Sequence, residues 1–479
     1  MEKVSRSLVL SGSLLAGLVA IGGTSSASTS QPAGTPQVAM TWQDIVDTSA
    51  PIALSSPAVA HLDGAQVAVV GDLHGWLYAV RIADGKPLPG WPVSLGGAPI
   101  QSSPSVSGST VFIGAGSANE PNQGGYYAVS AGGRVLWRTT VRYQPSVATI
   151  RGVVAGLTVG KLQGRTAVVG GSLGQFLDEL SATNGAVLRG FPWYQADTVF
   201  TTAAVGDLYG NGKTEVIDGG DSTAGNSFNV PYLNGGHIRV LAASGNAGAK
   251  IPSGGLLCEY NTNQVVQGSP AVGRFLVGRQ MGIVVGTGTF FTGASDTDRV
   301  IAVNSHCGLA WSALLDGATG DSPALVDALG NGALQVAEGT AHNGSGSVYL
   351  LDGATGRTIW RRAALGAVIG GITSVDLGGG YQDLVVPTLH GVEILDGKTG
   401  ALIAILETAV GVQSSPLITN DPNGTVGITI AGYKAGGTTP AGEAVIEHFE
   451  VAGTAGARVD ERGGWPEFHH DPRLTGFSG

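Results

Sequence analysis

The sequence predicts an all-β protein built from about eight similar four-stranded units, and three observations lead to that class. Glycine supplies 79 of the 479 residues, whereas an ordinary globular chain contains about 7% glycine. Hydrophobic residues make up 43% of the chain and charged residues 13%, a composition that excludes a disordered, highly charged protein. Similar blocks recur along the chain, and long segments of helical periodicity do not occur.

The repeated unit begins with a serine-proline pair and contains four short strands. The block "SSPAVAHLDGAQVAVVGDLHGWLYAV" starts at Ser55, and blocks with the same order of parts start at Ser102, Gly268, Asp321 and Ser414. The strand that precedes the last turn of the unit occurs eight times. The fourth strand ends on an aromatic residue in several units, and examples are Trp137, Trp311 and Trp360.

Glycine and Asp-Gly pairs separate the strands, as antiparallel hairpins require. Units of this kind, spaced roughly 44 to 62 residues apart, match the blades of a β-propeller. Each blade buries both of its faces only against neighbouring blades, so the ring must close. The sequence therefore predicts one β-propeller domain over residues 41–479 with eight blades, and seven blades is the alternative.

The N-terminus has the pattern of a secretory signal peptide. Lys3 and Arg6 precede an apolar run from Leu8 to Ile21, and small polar residues follow it, which predicts a signal peptide over residues 1–27. Residues 28–40 are predicted to be a flexible linker. No other segment has the length of a transmembrane helix, so the mature protein is expected outside the cell or in the cell envelope, as a monomer.

The two cysteines, Cys258 and Cys307, are an even pair in a chain predicted to be exported. Such a pair predicts a disulfide in an oxidising compartment. The closed loop of about 50 residues would contribute on the order of 4 kcal/mol to stability.

The repeats resemble those of the quinoprotein-dehydrogenase-like propellers, which include the PQQ-like and FG-GAP repeat families and an outer-membrane assembly propeller of Gram-negative bacteria. "LLDGATGRTIW", from Leu350 to Trp360, is similar to the tryptophan-docking signature of that superfamily. "ILDGKTGALIA" keeps Asp396, Thr399 and Gly400 but has Ala404 at the tryptophan position. The resemblance implies the propeller fold over nearly all of the mature chain.

The C-terminal stretch "WPEFHHDPRLTG" resembles an element at the edges of such propellers. It implies that Trp465 and Phe468 anchor between the first and last blades and close the ring, because each aromatic side chain buries 150–250 Å². His469 and His470 point apart in an extended segment and lack the spacing of helical zinc motifs, which favours a structural role over a metal site.

"DLYGNGKTE", from Asp207 to Glu215, resembles the calcium loop of FG-GAP repeats. The resemblance implies Asp207, Asn211 and Glu215 as calcium ligands, since calcium takes six to eight oxygen ligands. Tyr209 occupies a ligand position without supplying a carboxylate, which favours a metal-free turn, and calcium bound by Asp207, Asn211 and Glu215 is the alternative and the one cofactor considered.

The expected function is binding of a protein or a glycan by an exported, non-enzymatic propeller, with no catalytic residues assigned. The net charge of −10 excludes nucleic acid as a partner, because nucleic-acid binding depends on Lys and Arg. The long loops at 118–123, 221–232 and 292–298 and the centre of the ring are expected to make the contacts. The alternative is a secreted enzyme on the same propeller, either a PQQ-type oxidoreductase or a carbohydrate-active enzyme.

Overall fold

The computed structural model describes residues 36–117, 124–143, 150–222, 235–245, 255–320, 322–408, 410–434, 440–453, 456–460 and 462–478. The predicted signal peptide and the residues of the predicted linker before position 36 lie outside these ranges. The described part of the chain forms an eight-bladed β-propeller, which confirms the predicted fold class and blade number. Its helical content is one 3₁₀ turn, Val277–Arg279.

Each blade is an antiparallel sheet of four strands, of which the first lies nearest the centre of the ring and the last lies at its rim. Blade 1 contains β2 (Ala58–Leu62), β3 (Ala65–Gly71), β4 (Trp76–Arg81) and β5 (Val93–Ser94), and blade 2 contains β6 (Ser105–Ser107), β7 (Thr110–Ala115), β8 (Gly125–Ser130) and β9 (Val135–Thr139). Blade 3 contains β10 (Thr158–Leu162), β11 (Arg165–Gly171), β12 (Phe176–Ser181) and β13 (Trp193–Tyr194), and blade 4 contains β14 (Ala204–Gly206), β15 (Glu215–Asp221), β16 (Gly236–Ala242) and β17 (Leu256–Thr262).

Blade 5 contains β18 (Ala271–Leu276), β19 (Gln280–Gly286), β20 (Arg299–Asn304) and β21 (Leu309–Leu314), and blade 6 contains β22 (Ala324–Val326), β23 (Gln335–Gly339), β24 (Ser347–Asp352) and β25 (Thr358–Ala363). Blade 7 contains β26 (Thr373–Val375), β27 (Asp383–Thr388), β28 (Gly391–Leu395) and β29 (Leu402–Leu406), and blade 8 contains β30 (Leu417–Asn420), β31 (Val426–Lys434), β32 (Glu443–Ala452) and β1 (Gln37–Asp47). The two-residue strand β33 (Phe477–Ser478) pairs in parallel with β18, inside the ring.

The N-terminal strand completes the last blade. β1 pairs antiparallel with β32 from Gln37 opposite Ala452 to Asp47 opposite Ala444, and so becomes the outermost strand of blade 8. Residues 37–40, predicted as part of a linker, therefore belong to a strand. The reason is that β32 offers an open edge whose N–H and C=O groups need partners.

Because the strands of a blade alternate in direction, its loops lie on two faces of the ring. The upper face carries the loops between second and third strands and the connections between blades. The lower face carries the turns between first and second strands and between third and fourth strands.

The C-terminal residues 463–478, here called the strap, run once around the inside of the ring. The strap accepts a hydrogen bond from a backbone N–H next to or within the innermost strand of every blade. Seven acceptors are backbone carbonyls at 2.6–2.9 Å: Gly463, Trp465, Pro466, Pro472, Arg473, Thr475 and Gly476. At blade 1, the carboxylate of Glu467 accepts from the N–H of Val59 at 3.2 Å. The strap thus lines the inner edge of the ring, whose centre is predicted from the sequence to contact a ligand.

The prediction that Trp465 and Phe468 anchor between the first and last blades needs correction. Trp465 is 1% exposed and packs in the core of blades 5 to 7, and its backbone N–H donates to Ser374 Oγ of blade 7 at 2.8 Å. Phe468 is only partly buried, and its ring stacks on His469. The first and last blades are instead joined by β1, because a strand offers a full ladder of hydrogen bonds.

The serines of the Ser-Pro pairs join neighbouring blades. The hydroxyl oxygen of such a serine accepts a hydrogen bond from the backbone N–H at the same position of the preceding blade. The backbone N–H of Ser415 donates to Ser56 Oγ, and the N–H of Ser56 donates to Ser103 Oγ, both at 3.0 Å. The N–H of Ser269 donates to Ser322 Oγ at 2.9 Å. The hydroxyl accepts from a buried backbone N–H that would lower the stability of the fold if it had no partner. This explains why a serine precedes the proline.

Tryptophan docking joins the blades near the rim. At five junctions an indole Nε1 donates to a backbone carbonyl of the next blade's turn at 2.7–3.0 Å, and these tryptophans are Trp42, Trp91, Trp137, Trp311 and Trp360. At four of the junctions the ring lies on a glycine at φ 69–71°, where a Cβ would approach the ring to under 3.0 Å: Gly85, Gly185, Gly356 and Gly400. These turns therefore require glycine both for the backbone conformation and for the close approach.

A disulfide takes the place of a docking tryptophan between blades 4 and 5. Cys258 lies opposite Val240 next to a β-bulge, as Trp311 lies opposite Ala302 next to a β-bulge in the following blade. Cys307 occupies the turn position of the docking glycines, and its φ is 59°. The two sulfur atoms are bonded at 2.06 Å. A covalent link thus replaces an aromatic contact at this one junction.

Candidate functional site

The upper face of blades 4 and 5, here called the blade 4–5 face, contains the longest loop of that face whose residues are all described. This loop, residues 287–298, joins β19 to β20 and contains the segment 292–298 that was expected to contact a partner. Of the other two expected contact loops, 118–123 lies outside the described residues, and only Asp221 and Ser222 of 221–232 lie within them.

A buried glutamine fixes the conformation of this loop. The side chain of Gln264 is 0% exposed, and its amide contacts both backbone groups of Phe291. Gln264 Oε1 accepts from the N–H of Phe291 at 2.9 Å, and its Nε2 donates to the carbonyl of Phe291 at 3.0 Å. The same Nε2 also donates to Thr297 Oγ1 at 3.0 Å. One side chain thereby fixes the loop at its middle and near its C-terminal end.

The ordered loop presents two partly exposed aromatic rings among polar groups. The rings of Phe290 and Phe291 are perpendicular, with centroids 4.9 Å apart. On the same face, Asp296 Oδ2 accepts from the N–H of Asn263 at 2.8 Å, and Asn263 Nδ2 donates to Ser295 Oγ at 2.9 Å. Apolar surface and oriented polar groups thus lie side by side, a combination typical of binding sites.

A buried polar network supports this face from within blade 4. His237 Nδ1 lies 2.7 Å from Ser222 Oγ, and its Nε2 lies 3.1 Å from Gln195 Oε1. Gln195 Nε2 donates to Asp218 at 2.5 Å, and Arg239 donates to both the side-chain and the backbone oxygen of Gln195 at 2.8 and 2.9 Å. The network is fully enclosed, because all five side chains are at most 1% exposed.

The burial of the network sets its protonation. Burial, followed by the positive charge of Arg239, holds the pKa of His237 well below its usual value, so its imidazole is neutral. Burial raises the pKa of Asp218 to about 7, although a hydrogen bond from Thr201 and the charge of Arg239 lower it. The Ser222–His237 pair is enclosed, and the second imidazole nitrogen faces an amide rather than a carboxylate. We therefore interpret the pair as support for the face.

The predicted calcium ligands form a hydrogen-bonded turn on the lower face of blade 4. The two carboxylate oxygens of Asp207 accept from the N–H groups of Asn211 and Gly212 at 3.0 and 2.7 Å, and Asn211 Oδ1 accepts from Lys213 at 2.9 Å. Glu215 Oε2 accepts from the N–H of Leu208 at 3.0 Å. Among the described residues, no three His, Cys, Asp or Glu side chains are grouped as metal ligands, and calcium at this loop stays a prediction.

Blade 6 contains the same turn with a neutral residue at the last position. Asp327 and Asn331 repeat the hydrogen bonds of Asp207 and Asn211. Gln335, at the position of Glu215, accepts from the N–H of Leu329 at 3.2 Å, one residue further along the turn than the donor of Glu215. The negative charge of Glu215 is therefore not needed for the shape of the turn.

We expect Glu215→Gln to leave the unfolding midpoint unchanged in EDTA, because Gln335 also accepts a backbone N–H of the same turn in blade 6 with a neutral amide. The measurement is thermal unfolding of both proteins in EDTA and in CaCl₂. A midpoint that rises with calcium in the wild type and not in Glu215→Gln would assign calcium to this loop. A clear fall in the midpoint of the variant in EDTA would contradict our account of the turn.

The residues that build the blade 4–5 face carry no recognisable signal in the sequence. Loop length alone indicated 292–298, and neither Gln264 nor the blade 4 network belongs to a motif. The partner of Gln264 lies 27 residues away, and only the arrangement of neighbouring blades brings the two together.

No protein-family model matches the sequence, and no curated protein matches it either. The structure is similar to that of BamB from Moraxella catarrhalis, with a TM-score of 0.54, 14% identity and coverage of 86% of this chain and all of BamB. A quinohemoprotein alcohol dehydrogenase from Comamonas testosteroni aligns with a TM-score of 0.45, 12% identity and coverage of 88% of this chain and 77% of the enzyme.

The biofilm matrix protein Bap1 of V. cholerae aligns with a TM-score of 0.44, 13% identity and coverage of 86% of this chain and 90% of Bap1. At these identities the comparisons concern the fold. In the described residues, no helix has the length and apolar character needed to cross a membrane. The chain is an eight-bladed β-propeller, and its fold is similar to that of BamB.

Proposed function

We propose that the protein is an exported, non-enzymatic binding module that holds a protein or glycan partner on its blade 4–5 face. The observation that carries the proposal is the loop 287–298, in which the buried Gln264 orders the backbone beneath two partly exposed phenylalanines. The predicted signal peptide supports export, and a disulfide between Cys258 and Cys307 suits an oxidising compartment.

The ordered loop favours recognition because little conformational freedom is lost when a partner binds. Ordering a mobile loop on binding costs free energy, and a loop already held in its bound shape avoids that cost. Aromatic rings supply a large apolar contact area, and they are enriched at the centres of interfaces. Asp296, Asn263 and Ser295 add oriented polar groups at the edge. Both a glycan and a protein surface could use this arrangement.

We expect Phe290→Ala/Phe291→Ala to weaken partner binding at least tenfold, because aromatic residues at the centre of an interface carry about 2 kcal/mol or more. The partner is sought by capture from culture supernatant and envelope fractions on the immobilised protein, and in parallel on a glycan array. Affinities of the two proteins for the captured ligand are then compared by surface plasmon resonance.

Val277→Ala is the matched control. Val277 is 68% exposed and lies on the lower face of the same blade, so the variant also removes exposed apolar surface but leaves the loop intact. Its affinity should equal that of the wild type. Unchanged affinity of the double phenylalanine variant would rule out the blade 4–5 face as the contact surface.

A further inference from the structure

A second concave site lies on the lower face of the ring, between the innermost strands of blades 8 and 1 and the strap. The cavity has a volume of about 300 Å³, which is at the lower limit for small-molecule sites and suits one small ring. At seven blades a backbone carbonyl of the strap contacts the innermost strand directly. At blade 1 the side chain of Glu467 makes this contact instead, and the cavity opens at this place.

The walls of the cavity combine polar and apolar side chains in similar numbers. The polar residues are His61, Gln66, Thr419, Asn420 and Glu467, and the apolar residues are Val59, Ile418, Val459 and Pro466. Among the described residues that line the cavity, none is a lysine, an arginine or an aromatic residue other than histidine. The cavity is therefore neither a hydrophobic pocket nor a positively charged one.

Three of the polar side chains keep hydrogen-bonding capacity for a ligand. His61 and Gln66 lie opposite each other in the register of β2 and β3, so both side chains belong to the same face of blade 1. Gln66 Nε2 donates to the carbonyl of Asn420, and Asn420 Oδ1 accepts from the N–H of Val459, both at 3.2 Å. Within the described part of the chain, no hydrogen bond occupies Gln66 Oε1, Asn420 Nδ2 or the imidazole of His61.

The charge on the cavity wall is already used by the protein. Glu467 accepts from the N–H of Val59 and has a further interaction inside the protein, so it does not require a bound cation. An anion fits less well, because the carboxylate of Glu467 would repel it. A purely apolar ligand would take the unoccupied polar groups out of water without replacing their hydrogen bonds, which costs free energy. These conditions favour a neutral ligand with several hydroxyl groups.

We propose that this cavity binds a single neutral sugar ring. A hydroxyl group both donates and accepts, so the hydroxyls of a sugar match Gln66 Oε1, Asn420 Nδ2 and the imidazole of His61. The C–H groups of the ring would lie against the apolar part of the wall, which includes Val59. The ring belongs either to a free monosaccharide or to the end unit of a glycan, and these two sources share the same chemistry. The blade 4–5 face lies on the opposite, upper side of the propeller.

The test uses the methyl glycosides of glucose, galactose, mannose and N-acetylglucosamine as probes, with binding to the full chain measured by saturation-transfer NMR. We expect saturable binding of at least one glycoside with a Kd in the millimolar range. Cyclohexanol, a six-membered ring with one hydroxyl, should show no comparable binding. Absence of saturable binding for all four glycosides, or equal binding of cyclohexanol, would overturn the proposal.

His61→Phe/Gln66→Leu removes the hydrogen-bonding groups of blade 1 and keeps the approximate size of both side chains. We expect it to weaken binding of the strongest probe at least tenfold, because the loss of one hydrogen bond weakens binding about three- to tenfold. His61 is exposed and Gln66 is partly exposed, so the variant should keep the unfolding midpoint of the wild type. Gln280→Leu is the matched control, since Gln280 is an exposed glutamine on the lower face of blade 5. Unweakened binding in the double variant, or an equal loss in Gln280→Leu, would refute the site.

Phe290→Ala/Phe291→Ala distinguishes this site from the proposed binding surface on the upper face. If that variant loses the glycoside while His61→Phe/Gln66→Leu retains it, the sugar binds to the blade 4–5 face, and the present inference fails while the proposed function gains support. The source of the ring is assigned with a disaccharide that ends in the sugar of the strongest probe. Binding at least as tight as that of the methyl glycoside supports a glycan end, and weaker binding supports a free monosaccharide.

Discussion

Deletion of residues 463–479 should destabilise the ring more than any single substitution. The strap accepts a hydrogen bond from each of the eight blades, and it places Trp465 in the core of blades 5 to 7. Its removal leaves buried N–H groups without a protein partner, and each such group costs about 1–3 kcal/mol unless water reaches it. The measurement is thermal unfolding followed by circular dichroism.

Trp465→Ala isolates the largest contribution of the strap. Replacement of a fully buried tryptophan by alanine costs about 3–5 kcal/mol, and Trp465 is 1% exposed. Phe468→Ala is the matched control, because Phe468 is only partly buried and should cost less. If the deleted or substituted proteins unfold at the midpoint of the intact chain, the strap does not stabilise the ring.

Removal of the disulfide by Cys258→Ser/Cys307→Ser should lower stability by about 4 kcal/mol in the chain-entropy model. The bond closes a sequence separation of 49 residues, and in a chain of this length the loss corresponds to roughly 4 °C in the unfolding midpoint. The midpoint is measured by calorimetry for wild type and variant without reductant, and the wild type in reductant should approach the variant.

A second variant tests whether the disulfide replaces a docking contact. Cys258→Trp/Cys307→Gly would restore the tryptophan and glycine found at the junction between blades 5 and 6. We expect it to recover part of the stability lost in the serine variant, because the indole can lie on the glycine and donate to the turn. A midpoint below that of the serine variant would show that the junction does not accept the docking arrangement.

The repeats predicted the fold well because the docking and turn residues are local. A tryptophan in the fourth strand and a glycine in the turn between third and fourth strands recur in the sequence, as at Trp311 and Gly356 of neighbouring blades, so the blades could be counted. Cys258 occupies the same structural position as those tryptophans but has different chemistry. The pairing of the cysteines followed from their number, whereas their role at a blade junction required the register of the strands.

The errors at the two ends of the chain have a common physical cause. β1 finds its partner β32 about 400 residues later, and the strap bonds to blades distributed over the whole sequence. Long-range pairing of this kind leaves no local periodicity, since the partner supplies the edge that stabilises the strand. Residues 37–40 were therefore assigned to a linker, and Trp465 and Phe468 to a single junction.

The site was less predictable than the fold. Loop length indicated the segment 292–298, but the side chain that orders it, Gln264, is one of many loop polar residues in the sequence. Glu467 was visible only as a member of the C-terminal stretch. Of the eight groups of the strap that accept a hydrogen bond from a blade, seven are backbone carbonyls and one is the carboxylate of Glu467. This difference depends on contacts with every blade, so the order of residues in the sequence does not show it.

The direction of β1 decides how the propeller can be displayed on a support. Gln37 pairs with Ala452 at the lower end of blade 8, and Asp47 pairs with Ala444 at the upper end. A fusion partner or biotin attached ahead of Gln37 therefore emerges on the lower face at the rim of the ring and leaves Phe290 and Phe291, on the upper face, facing solution. Coupling through that end would present the phenylalanines to an incoming macromolecule, so this choice of attachment suits measurements of partner capture.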